Sequence, residues 1–272
     1  MLQQPDVPAR PRLIATDLDG TLLRSDGTLS DRTVATVTAC EAAGATLVIA
    51  TGRPPRWISA IGERLGHQGL AVCANGALVY DLETESVVSS TRIEVDAAAE
   101  IVRRVRRAWP AAVFAVEAVD HLGLEPAWPL NFEPPPGTRF GDAAELVTVP
   151  PVKILARLEG HPVEAAMAST AADLAGLAEV TWSGGKHLLE MSAPGVTKGA
   201  ALAALADRLG VGAVEAIAFG DMPNDLDMLR WAGRGLAVAN AHELVRAAAD
   251  AVVGANDDDG VAAELEAVFG LG

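Results

Sequence analysis

Cysteine is scarce in this sequence, and the residues that commonly bind zinc lack the spacing that a zinc site requires. The 272 residues include two cysteines, Cys40 and Cys73, which form no CxxC pair and no Cys/His pattern. The five histidines show neither HExxH nor paired spacing. The sequence therefore argues against a zinc site, and we expect both cysteines to be buried free thiols.

Long apolar runs and an excess of basic residues are lacking as well. No stretch of 18 apolar residues occurs, and the N-terminal residues do not combine a charged stretch with a following apolar run. These absences predict a cytoplasmic protein without membrane contacts. The formal net charge of −15 disfavours nucleic-acid partners. It also repels phosphorylated metabolites, so a substrate of that class requires local cations, either side chains or a metal ion.

What is present indicates an ordered α/β protein. Half of the residues are hydrophobic and 21% are charged, and the length suits two modest domains or one core with a large insertion. Residues 12–16 predict a buried strand, Ser30 and Gly44 predict the two ends of a helix, and residues 45–50 predict a second strand. This strand, helix, strand order is typical of a parallel sheet. The far end of the chain resumes it, with predicted helices at 198–209 and 226–232 and predicted strands at 216–219, 236–238 and 251–253.

The middle of the chain shows a different pattern of helix and strand signals. A proline-rich loop, residues 126–136, separates two groups of helix and strand signals. This region therefore predicts a second α/β layer inserted into the first, rather than a linker. Its predicted elements are a helix at 101–109, a strand at 112–118, a strand at 153–158 and a helix at 163–177.

Polar residues follow three of the predicted core strands. In an open parallel sheet, ligands bind outside the carboxyl ends of the strands. Carboxylates at two neighbouring strand ends form the oxygen-rich kind of site that Mg²⁺ prefers. The three segments are Asp17-Leu18-Asp19-Gly20-Thr21, Thr51-Gly52-Arg53 and Gly220-Asp221-Met222-Pro223-Asn224-Asp225.

With the Thr-Lys-Gly at 197–199, these segments resemble the four motifs of the haloacid dehalogenase superfamily. The order of the motifs is similar to that of the Cof-like hydrolases, in which a cap is inserted between the second and third motifs. The resemblance implies a doubly wound, parallel-sheet (Rossmann-like) core formed by residues 10–82 and 188–272. It implies an α/β cap formed by residues 83–187, which carries no motif that we can match.

The resemblance also implies different roles for the acidic residues of this sequence. Asp17 is the expected nucleophile, and Asp19 the expected acid that protonates the leaving oxygen and then activates water. Asp17, Asp221 and the backbone carbonyl of Asp19 are the expected Mg²⁺ ligands. Asp225 is expected to support them.

The remaining site residues are expected to bind phosphate. The resemblance implies that Thr51 and the Gly52 amide cradle the phosphate and that Lys198 neutralises charge on the transferring group. Lys198 lies near the start of a predicted helix, where a cation opposes the helix dipole, and it is one of three lysines against 18 arginines. A lysine there is therefore expected to have a role that offsets this cost.

Three positions leave alternatives open. Arg53 either contacts the substrate or pairs with a carboxylate. Asn224 either contacts phosphate or caps the following helix. Asn75 and Gly76 form a strong local signal for a hairpin turn and are interpreted as no more than that.

Together these observations predict a Mg²⁺-dependent phosphatase that acts on a small phosphorylated metabolite through an aspartyl phosphate. Sugar phosphates are the first expectation, beside pyridoxal phosphate and the phosphorylated pyrimidine precursor of riboflavin. A phosphosugar mutase is the alternative within enzymes, and a noncatalytic phosphometabolite-binding protein is the alternative outside them. No oligomeric state is predicted.

Overall fold

The chain folds as two compact units. The computed structural model describes residues 10–184 and 187–271. The first unit ends at Ser89 and resumes at Thr197, and the second spans Ser90–Val196. The second unit is therefore an insertion in the first.

Strands and helices alternate along most of the described chain. The strands are β1 Leu13–Thr16, β2 Thr46–Ala50, β3 Leu70–Cys73, β4 Leu78–Asp81, β5 Ser86–Ser90, β6 Val113–Glu117, β7 Leu122–Leu124, β8 Arg139–Phe140, β9 Lys153–Arg157, β10 Glu179–Thr181, β11 Leu188–Ser192, β12 Ala216–Gly220, β13 Arg234–Val238 and β14 Ala251–Val253. The helices are α1 Asp31–Ala42, α2 Ser59–Leu65, α3 Val95–Ala108, α4 Ala143–Leu146, α5 Val163–Asp173, α6 Lys198–Leu209, α7 Leu226–Trp231, α8 Glu243–Ala248 and α9 Gly260–Phe269.

The first unit contains an eight-stranded sheet in the order β14-β13-β12-β1-β2-β3-β4-β5. The strands from β14 to β3 are parallel, and β4 runs antiparallel to β3. The central strand β1 pairs with β2 on one side and β12 on the other, so the strand order reverses there. Such a reversal opens a crevice at the carboxyl ends of the strands. The predicted doubly wound parallel sheet is confirmed.

The sequence explains why these elements form. Strands buried on both faces read as continuous apolar runs, and every residue of β1 and β12 is buried. The hydroxyl of Ser30 accepts a hydrogen bond from the Thr33 amide and caps α1 as predicted. Gly210 ends α6 in the left-handed conformation. Local signals thus set the start of α1 and the end of α6, the helix that carries Lys198.

The second unit is built on a six-stranded sheet in the order β10-β11-β9-β6-β7-β8, mostly antiparallel. Its helix α3 buries Ile101, Val102 and Val105, while the arginines on the other positions pair with carboxylates such as Glu100. Helix α5 ends at Asp173, earlier than predicted, because the following residues turn. The role of this unit as a cap stays a prediction.

None of the described helices has the length and apolarity needed to cross a bilayer. The expected cytoplasmic location stays a prediction.

Candidate active site

The two motifs that carry carboxylates meet because they follow strands that are parallel neighbours. Asp17 follows β1, and Asp221 follows β12, which is paired with β1. The Asp17 amide continues this pairing by donating a hydrogen bond to the Phe219 carbonyl at 3.0 Å. Both carboxylates therefore lie at the same edge of the sheet, at the reversal of strand order.

Three buried carboxylates gather at this edge around one lysine. Asp17, Asp221 and Asp225 each offer an oxygen within 4.8 Å of the others. The Lys198 ammonium donates to Asp17 Oδ1 at 2.7 Å and to Asp225 Oδ1 at 2.6 Å, and 1% of this lysine is exposed. We call these four residues the acidic cluster.

Burial raises the pKa values of Asp17 and Asp221 in the acidic cluster. It raises the pKa of Asp17 well above its ordinary value, where Lys198 opposes the rise and Asp225 and Asp221 add to it. Burial, with repulsion from Asp225, raises the pKa of Asp221 to about 7. The pKa of Lys198 is raised despite its burial, because Asp17 and Asp225 attract the ammonium. The single positive charge of Lys198 does not neutralise three ionised carboxylates.

The acidic cluster fits a divalent cation. When all four groups are ionised, three carboxylates against one ammonium leave two negative charges, which one divalent cation would neutralise. Asp225 is occupied by protein donors, because Oδ1 accepts from Lys198 and Oδ2 accepts from the amides of Asp221 and Met222, both at 3.0 Å. Asp17 and Asp221 are the better placed ligands, and carboxylate oxygens suit a hard cation.

The turn after Asp17 packs directly against Asp221. Gly20 has φ +76°, and a Cβ on it would come within 2.5 Å of Asp221 Oδ2. The Thr21 hydroxyl donates to Asp221 Oδ1 at 3.0 Å, and the Asn240 amide donates to the Gly20 carbonyl at 2.7 Å. Neither Thr21 nor Asn240 was predicted to have a role of its own in the site. Thr21 belongs to the first motif, whereas no local signal marks Asn240.

Asp19 stands apart from the acidic cluster and pairs with Arg53. Its side chain is 55% exposed. The Arg53 guanidinium donates from Nε to Asp19 Oδ2 at 2.8 Å and from Nη2 to Asp19 Oδ1 at 2.5 Å. The Arg53 guanidinium thus pairs with a carboxylate, and its contact with the substrate stays a prediction. The Arg53 amide also donates to Thr51 Oγ1 at 3.1 Å, which closes a tight turn around the half-buried Gly52.

Asn224 contacts another asparagine instead of capping a helix. Its Nδ2 donates to Asn75 Oδ1 at 3.1 Å. No side chain caps α7. Asn224 Oδ1 is buried without a hydrogen-bond partner in the described part of the chain. Asn75 does lie in the turn between β3 and β4, as predicted, but its contact with Asn224 was not foreseen.

This chain is similar to known proteins over nearly its whole length. The sequence model of the haloacid dehalogenase-like hydrolases matches residues 14–265. A 5-amino-6-(5-phospho-D-ribitylamino)uracil phosphatase of Bacillus subtilis is 32% identical, over 96% of this chain and 99% of its own. A pyridoxal phosphate phosphatase of Escherichia coli is 27% identical, over 92% and 96%. A haloacid dehalogenase-like hydrolase from B. subtilis has a similar structure, with a TM-score of 0.81, 26% identity and coverage of 94% and 99%.

Proposed function

Because this chain belongs to the haloacid dehalogenase-like hydrolases, we propose that it is a Mg²⁺-dependent phosphatase acting through an aspartyl phosphate on Asp17. The two relatives named above are phosphatases. The predicted enzyme class, a phosphoric monoester hydrolase, is confirmed. The proposal adds the substrate class, the metal and the roles of the residues.

The contact between Lys198 and Asp17 carries the proposal. A buried carboxylate is a nucleophile only when it is ionised, and burial favours its neutral form. The ammonium at 2.7 Å favours the ionised form. It would also stabilise negative charge on a phosphoryl group transferred to Asp17.

The proposed reaction has two steps. In the first, an Asp17 oxygen attacks phosphorus, the bond from phosphorus to the leaving oxygen breaks, and Asp19 gives its proton to that oxygen. In the second, Asp19 takes a proton from water as the water oxygen attacks the same phosphorus. The bond between phosphorus and Asp17 breaks, which releases inorganic phosphate and restores both carboxyl groups. Asp19 must leave its ion pair with Arg53 to act as the acid.

The other residues bind and orient in this proposal. Asp17, Asp221 and the Asp19 backbone carbonyl would hold Mg²⁺, which supplies positive charge to offset that of the phosphate. Asp225 positions Lys198. Thr51, the Gly52 amide, Arg53 and Asn224 are proposed to bind the phosphate or its ester.

The proposed substrate is a small phosphorylated metabolite. The two named relatives act on a phosphorylated pyrimidine derivative and on pyridoxal phosphate. A sugar phosphate remains a candidate from the sequence analysis. The inserted region is proposed to act as a cap that selects the leaving group, and nucleic acid is not expected to bind because of the net charge of −15.

A screen of phosphorylated metabolites with purified protein tests the proposal. Inorganic phosphate is measured with and without Mg²⁺, and phosphosugar products are separated from substrates. We expect Mg²⁺-dependent release of phosphate from several small esters. Isomerised phosphosugar without released phosphate would instead identify a mutase, and binding without turnover would identify a noncatalytic protein.

A further inference from the structure

The short turn that joins β3 to β4, residues Ala74–Gly76, has an unusual backbone. All three residues have positive φ, at 50° for Ala74, 58° for Asn75 and 104° for Gly76. Glycine adopts this region freely and asparagine does so more readily than most residues, whereas alanine is strained there. Strain of this kind persists where surrounding contacts impose it, often near functional sites.

This turn holds the backbone on both sides of Gly52. The Ala74 amide donates to the Arg53 carbonyl at 3.0 Å, and the Asn75 amide donates to the Thr51 carbonyl at 3.1 Å. The Thr51 carbonyl belongs to the same peptide group as the Gly52 amide, so its hydrogen bond to the turn fixes that group. The direction of the Gly52 amide, a proposed phosphate donor, is therefore held by the bond to the Thr51 carbonyl, while the bond to the Arg53 carbonyl holds the end of the segment.

The same turn supports the start of the helix that carries Lys198. A Cβ on Gly76 would come within 2.3 Å of the Thr197 carbonyl oxygen. Thr197 precedes Lys198 and caps α6 by accepting a hydrogen bond from the Ala200 amide. The turn thus packs directly against the first residue before α6, next to Lys198.

Asn75 makes the third connection through its side chain. This residue is 1% exposed, and its Oδ1 accepts the hydrogen bond from Asn224 Nδ2. Asn224 directly precedes Asp225, which binds Lys198 and holds the amides of Asp221 and Met222. Asn75 therefore contacts the Thr51–Arg53 segment and the loop that contains Asn224. Its neighbour Gly76 contacts the residue before α6.

We propose that Asn75 is a positioning residue of the active site, which holds the Thr51–Arg53 segment and the Asn224 loop at fixed separation. The inference rests on the proposed function, because its consequence is kinetic. Asn75 acts through Asn224 and Thr51 and does not contact the substrate. A hairpin turn alone requires neither the buried amide nor its bond to Asn224.

Asn75→Gly tests the side chain, since glycine accepts the left-handed backbone. With an aryl phosphate as substrate, kcat is expected to fall about 10- to 100-fold, with KM little changed, because small misplacements of reacting groups cost that much. The melting temperature should fall by only a few degrees, because the buried Asn224 amide loses its partner, and the variant should stay folded at the assay temperature. Glu85→Gly is the matched control, since Glu85 also has positive φ (50°) but is exposed. It should leave kcat unchanged.

Asn224→Ala provides the second test, through a double-mutant cycle. If the two asparagines act as a unit, the double variant Asn75→Gly/Asn224→Ala should have a kcat within twofold of that of Asn224→Ala alone. The reason is that the effects of residues in contact do not add. Full additivity of the two losses would overturn the inference. So would parent-like kcat in Asn75→Gly.

Hydrogen exchange supplies a readout that does not depend on turnover. Peptides covering residues 221–225 should exchange faster in Asn75→Gly than in the parent and in Glu85→Gly. If the parent hydrolyses no phosphate ester, the proposed function fails, and the exchange comparison still decides the inference. Unchanged exchange in this segment would contradict it.

Discussion

Lys198 Nζ lies 2.7 Å from Asp17 Oδ1, although 181 positions separate the two residues in the chain. The contact exists because α6 and β1 belong to one unit that is interrupted by the inserted region. The same ammonium binds Asp225 at 2.6 Å, so one cation serves the proposed nucleophile and its supporting carboxylate.

Replacing Asp17 tests the proposed nucleophile. Asp17→Asn keeps the size of the side chain but removes the attacking carboxylate, so turnover is expected to fall at least ~1,000-fold while the fold persists. Phosphate release and the melting temperature are the measurements. Asp227→Asn is the matched control, because Asp227 is an exposed carboxylate close in sequence to the acidic cluster. Normal turnover in Asp17→Asn refutes the mechanism.

Lys198→Met tests the charge balance of the acidic cluster. Removing one partner of a buried ion pair leaves uncompensated charge, so the free energy of unfolding should fall by roughly 3 kcal/mol. Activity should be lost as well. Adding Asp225→Asn removes one of the unpaired carboxylates and should restore part of the stability without restoring activity. Denaturant unfolding measures both effects, and a double variant less stable than Lys198→Met would count against this account.

Asp19→Asn tests the proposed general acid through the leaving group. Loss of a general acid typically costs ~100- to 10,000-fold when the leaving oxygen needs a proton. We therefore expect a large loss of turnover with alkyl phosphates and a much smaller loss with p-nitrophenyl phosphate, whose leaving group departs as an anion. Equal losses with both substrates would remove Asp19 from this role.

Metal dependence can be tested by stability as well as activity. A cation that binds the folded protein at 100 times its Kd adds about 2.7 kcal/mol to the free energy of unfolding. Mg²⁺ should therefore raise the melting temperature, and a chelator should abolish turnover reversibly. Asp221→Asn should remove most of the Mg²⁺-induced rise in melting temperature. An Mg²⁺-induced rise that survives intact in Asp221→Asn would place the metal elsewhere.

The thiols should take no part in the reaction. Cys40 and Cys73 are buried, and burial raises the pKa of Cys40 to about 11. Because the thiolate is the reactive form, N-ethylmaleimide at pH 7.5 should leave the folded protein unmodified and fully active. In guanidinium chloride both thiols should react. Rapid labelling of the folded protein, detected by mass spectrometry, would contradict the burial of these side chains.

Most elements of the first unit could be predicted because their signals are local. The capping hydroxyl of Ser30 and the left-handed Gly210 lie within a few residues of the ends that they define. Strands β3, β4 and β5 were missed, although β1, which is no longer than β3 or β4, was predicted, so length alone does not explain the difference. In the second unit, α3 begins at Val95, before its predicted start at residue 101, because its alanine-rich first turns carry little periodicity.

The sequence by itself determined which chemistry is available: carboxylates after parallel strands, a lysine at a helix start and the order of four motifs typical of one family. Only the tertiary structure decided how these groups pair, including the ion pair of Arg53 with Asp19 and the bond of Asn224 to Asn75. The physical reason is distance along the chain. Local propensity acts over a few residues, whereas the partners Asn75 and Asn224 are 149 positions apart and meet only because the strand order brings their turns together.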